Sequence, residues 1–219
     1  MSYAADAAHL EAPSPQQYVR SRLGSVLAVI PLGVWVVAHI WNNLAAFQGE
    51  AAWQAAVTEY RHPVAQLVTF IIVMLPLLLH IVWGLSRMRM SKPNNGKYGY
   101  FGNLNYLLQR ISALGVLGFV GAHIWLAMLH PRITTGHAEA FRDIAHEMHH
   151  HMPTLVVYLL GTLGVSYHLA NGLFGVAMGW GLVTSRRALS RATSFSVLFF
   201  VLLLAMSWAA IGALFRAGA

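Results

Sequence analysis

The sequence contains no cysteine. That excludes disulfides, thiolate zinc sites, cysteine-ligated iron–sulfur clusters and thiol catalysis within this chain. Charge is scarce as well: only 10% of the 219 residues are charged, against about 25% in soluble globular proteins. So little charge cannot cover a globule, and most of the surface must face lipid. The seven acids, Asp6, Glu11, Glu50, Glu59, Glu139, Asp143 and Glu147, all lie outside the long apolar runs. No membrane-embedded carboxylate is therefore available to relay protons or to pair with a buried cation. The net charge of +7 falls on no soluble basic stripe, so nucleic acid is not read as a partner.

What is abundant is apolar sequence, 57% of the chain, with a mean hydropathy of +0.56. A helix needs about 20 apolar residues to cross a bilayer. Five runs qualify, at about 23–46, 64–86, 106–129, 154–183 and 194–215. The expected fold is an all-α integral membrane protein, one domain over residues 1–219. No secretory leader is read, since no small-residue cleavage site closes the first run. Ten of the Lys and Arg residues flank the spans on the N-terminal side: Arg20, Arg22, Arg87, Arg89, Lys92, Lys97, Arg110, Arg186, Arg187 and Arg191. Four lie opposite: Arg61, Arg132, Arg142 and Arg216. This places the N-terminus in the cytoplasm and the C-terminus outside.

Apart from tyrosines, the ionisable groups in mid-span are histidines, one in each of the first four runs: His39, His80, His123 and His168. Such groups are expensive in a membrane and usually functional. At about 1.5 Å rise per residue, His39 and His123 fall in the outer half, and His80 and His168 in the inner half. The two layers are then roughly 10–15 Å apart. Two layers of two imidazoles suit two six-coordinate b-type haems held within a four-helix bundle. No C-x-x-C-H occurs, so neither haem would be covalently attached. On span four, Gly161, Gly164, His168, Gly172, Gly175 and Gly179 share one helical face, read as a groove in which a flat metal-bearing group can lie. Gly84 and Gly172, each four residues past a histidine, would let such a group near the backbone. Pro76 is expected to bend span two.

The outer segment 130–153 carries His146-Glu147-Met148-His149-His150, an H-E-x-x-H match to zinc proteases. That chemistry needs a helix in a folded domain, a third ligand and a cleft. A connection of this length is read instead as a solvated, histidine-rich loop.

Taken together the motifs resemble the five-helix, dihaem cytochrome b membrane-anchor subunit of bacterial succinate:quinone oxidoreductases, which comprise succinate dehydrogenases and fumarate reductases. The resemblance covers about residues 18–215. It is carried by Arg22-Leu23-Gly24-Ser25, by Ile30-Pro31-Leu32-Gly33 before His39 with Asn43 after it, and by Leu75-Pro76-Leu77-Leu78-Leu79-His80 with Trp83-Gly84. Leu108-Gln109-Arg110-Ile111, His123-Ile124-Trp125, His168 with Asn171-Gly172, and Trp180-Gly181 complete it.

The resemblance implies that His80 and His168 ligate an inner haem and His39 and His123 an outer one. It implies a flavoprotein partner with covalent FAD, an iron–sulfur partner, a bacterial cytoplasmic membrane and a quinone substrate, menaquinone in most dihaem members. Succinate chemistry would lie on the partners, with no catalytic residue in this chain. Some relatives carry a transmembrane glutamate two residues before the fourth ligand. Here that position is Ser166, which favours succinate oxidation without that proton path. The competing readings are a dihaem cytochrome b of a hydrogenase or formate dehydrogenase, and a haem-free membrane anchor. Arg22, Ser25 and Arg110 are the candidates for a haem-propionate contact, because arginine forks match carboxylates. For an outer quinone site the candidates are Asn43, Glu50, Trp53 and Glu59, with Asn42, Arg61 and His62 around them.

Overall fold

In the computed structural model, residues 14–59, 63–90 and 93–219 are described. Among them every regular element is helical. Five helical stretches are long and apolar enough to cross a membrane: Arg22–Gln48, Leu67–Arg89, Phe101–Thr135, Met152–Gly179 and Arg186–Ala217. These are spans one to five. The face where span one begins is called near, the opposite one far. Span three has 35 residues, about 50 Å of helix, well beyond a hydrocarbon core of about 30 Å. Its ends therefore stand clear of the apolar layer. Polar and charged end residues lengthen the helices past the bounds that hydropathy gives.

Span one is not uniform. A π-helical turn at Ala28–Gly33 contains Pro31, which has no N–H to give the ladder. Regular helix resumes at Val34–Asn43 and tightens into a 3₁₀ stretch, Leu44–Gln48. A second π turn, Ile124–Leu129, directly follows His123. Span two, by contrast, runs as one continuous helix from Pro63 to Met90, through Pro76.

Lipid gives helices no hydrophobic reason to associate, so close backbone approach and interhelical hydrogen bonds must hold them. Both are present. Span four packs along span five and along span three, and span one packs on span two by its near half and on span five by its far half. A Cβ at Gly24 would run into the Trp83 ring, and one at Gly161 into Phe119. Spans three and four are joined by a polar ladder. Tyr167 donates to Asn105 Oδ1 at 3.0 Å, Asn105 Nδ2 to Asn171 Oδ1 at 3.2 Å, and Asn171 Nδ2 to Gln109 Oε1 at 2.9 Å. Such bonds contribute about 0.6 kcal/mol each. Spans two and three share far less packing than any of these neighbours. The helices thus form an arc in the order two, one, five, four, three, open between its ends.

The apolar core lies on the far side. It joins Ala46, Trp53, Phe141, Ile144, Ala145, Met148, Tyr158, Ile211, Ala213 and Leu214. Its lid is the helix Phe141–His150, which turns Phe141, Ile144, Ala145 and Met148 inward. This corrects the reading of the segment as a solvated loop: apolar residues at spacings of three and four give it a buried face.

Candidate functional site

The four mid-span histidines come from four different helices and meet in two pairs across the arc. The rings of His39 and His123 are 5.9 Å apart, inclined at 62°. Those of His80 and His168 are 6.3 Å apart, inclined at 66°. Two imidazoles sharing one metal at about 2 Å each would have ring centres about 6 Å apart.

Three of the rings are oriented by a partner on Nδ1. His80 Nδ1 lies 3.4 Å from the Gly24 carbonyl oxygen, which only accepts, so Nδ1 carries the proton. His168 Nδ1 lies 3.3 Å from Ser112 Oγ. That hydroxyl donates to the Gln109 carbonyl at 3.0 Å, so it accepts from the ring. Gln109 Nε2 also donates to the His168 carbonyl at 3.1 Å. His123 Nδ1 lies 3.0 Å from the Tyr158 hydroxyl. For His80 and His168 the Nε2 lone pair is thereby left for a ligand, the arrangement by which metal-binding histidines are held, and the Tyr158 contact is compatible with the same tautomer at His123. His39 is fixed differently, stacked on Trp35 at 4.7 Å and 8°.

The glycine face of span four is only partly an open groove. Gly161 meets Phe119, Gly164 lies against Val116, Gly172 against Gln109 and Gly179 against Arg22. Much of this face is packing surface for span three, as small residues commonly provide. Gly84 and Gly175 face open space. Ser166 is fully buried, and its hydroxyl has no partner among the described residues.

The near-face candidates separate. The Arg22 guanidinium lies 4.3 Å over the Tyr18 ring, and its buried Nε has no hydrogen-bond partner among the described residues. The buried Trp180 Nε1 is unpartnered in the same sense, and its ring lies 6.2 Å from Tyr18. Both orphaned donors belong to residues that lie against the same Tyr18 ring, near which an anion would satisfy them. Arg110 instead donates to the Met88 carbonyl at 2.6 Å, closing the end of span two. Ser25 is half-buried on span one.

The far-face candidates separate too. Asn43 Nδ2 donates to the His39 carbonyl at 2.9 Å and its Oδ1 accepts from Trp53 Nε1 at 3.1 Å. This clamp ties the end of span one to the far core. Glu50 pairs with Arg142 at 2.9 Å in an exposed position. Glu59 lines a cavity of about 220 Å³ with Trp35, Ala38, His39, Asn42, Ala56, Val57 and Thr69. Arg61 and His62 lie outside the described residues.

The H-E-x-x-H histidines sit on a real helix, with His146 and His150 rings 4.5 Å apart. Among the described residues no group of three His, Asp or Glu side chains is placed to hold a metal ion. Sequence reading missed Tyr158 and Ser112, and it quoted Gln109 as a motif residue without its contact to His168. Their signal is a polar group at the depth of a histidine on a neighbouring span.

No protein-family model matches the chain. It is 29% identical over 201 residues to the succinate dehydrogenase cytochrome b558 subunit of Bacillus subtilis (strain 168), covering 91% of this chain and 96% of that protein. With five membrane-spanning helices and a likeness running almost end to end, the chain is a multi-pass membrane protein and a homologue of a succinate dehydrogenase cytochrome b subunit.

Proposed function

We propose that this chain is the membrane-anchor and electron-transfer subunit of a succinate:quinone oxidoreductase. One observation carries the reading: four imidazoles from four spans face each other in two pairs, 5.9 and 6.3 Å apart, in a homologue of a succinate dehydrogenase cytochrome b subunit. His80 and His168 would hold a b haem toward the near face, and His39 and His123 a second toward the far face. The sparse packing between spans two and three leaves the middle of the arc to such groups. Haem iron supplies one-electron transfer between its ferric and ferrous states.

The chain's own residues supply position and charge. Gly24, Ser112 and Tyr158 keep the Nδ1 protons of three ligands in place, so each ring presents Nε2. Arg22 and the Trp180 indole offer a cation and a donor to a carboxylate at the near end. The near face is the cytoplasmic one by its excess of Lys and Arg. It would dock an iron–sulfur subunit, itself bound to a flavoprotein with covalent FAD where succinate is oxidised. Electrons would then cross to the far layer. The cavity beside His39 would take the head of a quinone, menaquinone by the resemblance. Asn42, Glu59 and Thr69 offer hydrogen-bonding groups beside His39, and Ala38, Ala56 and Val57 supply an apolar wall, the mixture that such sites use.

The test is purification of the intact complex from membranes. The expected result is a flavoprotein and an iron–sulfur protein bound to this chain, with two b haems per chain. A hydrogenase or formate dehydrogenase partner, or a reduced-minus-oxidised spectrum with no b-type band, would overturn the reading.

A further inference from the structure

We infer that Tyr158 is the positioning residue of the far-layer ligand His123: its hydroxyl accepts the Nδ1 proton, fixes the ring and lowers the midpoint potential of the group that His123 ligates. The inference rests on the haem reading above and adds to it a residue that neither the motifs nor the resemblance names.

Tyr158 stands on span four, six residues after its first residue, Met152. It is only 9% exposed and belongs to the far-side core with Phe141 and Met148. Its hydroxyl is 3.0 Å from His123 Nδ1, and the two rings meet edge to face at 5.7 Å. Phe119 completes the corner. It lies over His123 at 5.8 Å and 21°, and meets Tyr158 edge-on at 5.4 Å. The imidazole is therefore held by a packed ring on one side and a hydrogen bond at Nδ1.

Among the Nδ1 contacts of the four mid-span histidines this is the shortest. The corresponding near-layer contacts are 3.4 Å for His80 and 3.3 Å for His168. Across the far layer, the His39 ring nitrogens have no hydrogen-bond partner among the described residues. Donation from Nδ1 raises the basicity of the ligating nitrogen. A more basic ligand favours the ferric form and depresses the potential. The far layer is tuned from one side, by the Tyr158 hydroxyl.

Tyr158→Phe removes that oxygen and keeps the ring. In the purified complex, a potentiometric titration of the b-type spectrum should show both haems retained. The far component should become easier to reduce by about threefold to tenfold, roughly 30–60 mV for one electron. The near component should not move. Phe119→Leu, which loosens the packing but leaves the hydroxyl, should leave both potentials in place. Two components with an unmoved far potential in Tyr158→Phe would overturn the inference and leave the haem reading standing. So would an equal shift in Phe119→Leu, which would assign the effect to packing. If Tyr158→Phe does not accumulate, the wild-type chain grown on 3-fluorotyrosine carries a weaker acceptor of the same shape. A selective upward shift of the far component is then expected, and no shift overturns the inference. Absence of any b-type spectrum in the wild-type complex sinks the haem reading itself.

Discussion

The two ends of this molecule are built on opposite plans. The far end closes on itself. The helix Phe141–His150 covers spans four and five, Met148 is fully buried, and Trp53 ties the end of span one into the same core. The near end stays open. Arg22 Nε, Trp180 Nε1 and Asn95 Oδ1 are buried there without partners among the described residues, and no such atom is found among them at the far end. A chain working alone would have no reason to finish one end and leave the other unsatisfied. A chain that carries a soluble partner on the near end and faces water at the far end would.

The contrast can be broken from the far side first. Met148→Ala should cost about 2–5 kcal/mol of stability, the range for emptying a buried methionine site. The loss should appear as faster proteolysis of the 136–151 segment, with the near-layer spectrum unchanged. Equal loss at both ends would mean that the far cap is not a separate core.

Arg22→Gln probes the near side and should act on one layer only. Loss of a cation beside a carboxylate favours the ferric state. The near component should become harder to reduce by up to about tenfold, roughly 60 mV, while Arg110→Gln should change helix-end stability and not the potential. A shift in the far component after Arg22→Gln would contradict the layer assignment.

The smallest effect is that of pH at the far end. Burial, then the charges of Asp143 and Glu147, push the Glu139 carboxyl up to about 7 from an ordinary 4.5. Between those values the folded chain holds a proton that the unfolded chain has released, so stability falls as pH rises through this window. Glu139→Gln should match the wild type below about pH 4.5 and exceed it above pH 7 in thermal stability. Curves that stay parallel would show that Glu139 is solvated.

The spans were legible because a bilayer imposes a length and a composition on whatever crosses it. Histidine depth was legible for the same reason, since helical rise converts sequence position into height. The far cap was misread because His146, His149 and His150 make the segment look polar, although Phe141, Ile144, Ala145 and Met148 already stand at helical spacing. What sequence cannot convey is rotation about each helix axis. That alone decides that Gly161 and Gly172 face span three, that Asn43 clamps Trp53, and that Tyr158 reaches His123. It also divides the quinone candidates, leaving Glu59 beside His39 and sending Glu50 to Arg142.

The central claim is that the imidazoles work in two pairs. The most direct measurement is the reduced-minus-oxidised spectrum and haem content of the purified complex in His39→Ala, His80→Ala, His123→Ala and His168→Ala. A b haem has no covalent tether, so removing one axial ligand should remove or severely weaken that haem and take about half of the total. His39→Ala and His123→Ala should deplete one component, His80→Ala and His168→Ala the other. If His39→Ala and His80→Ala deplete the same component while His123→Ala spares it, the pairing is wrong.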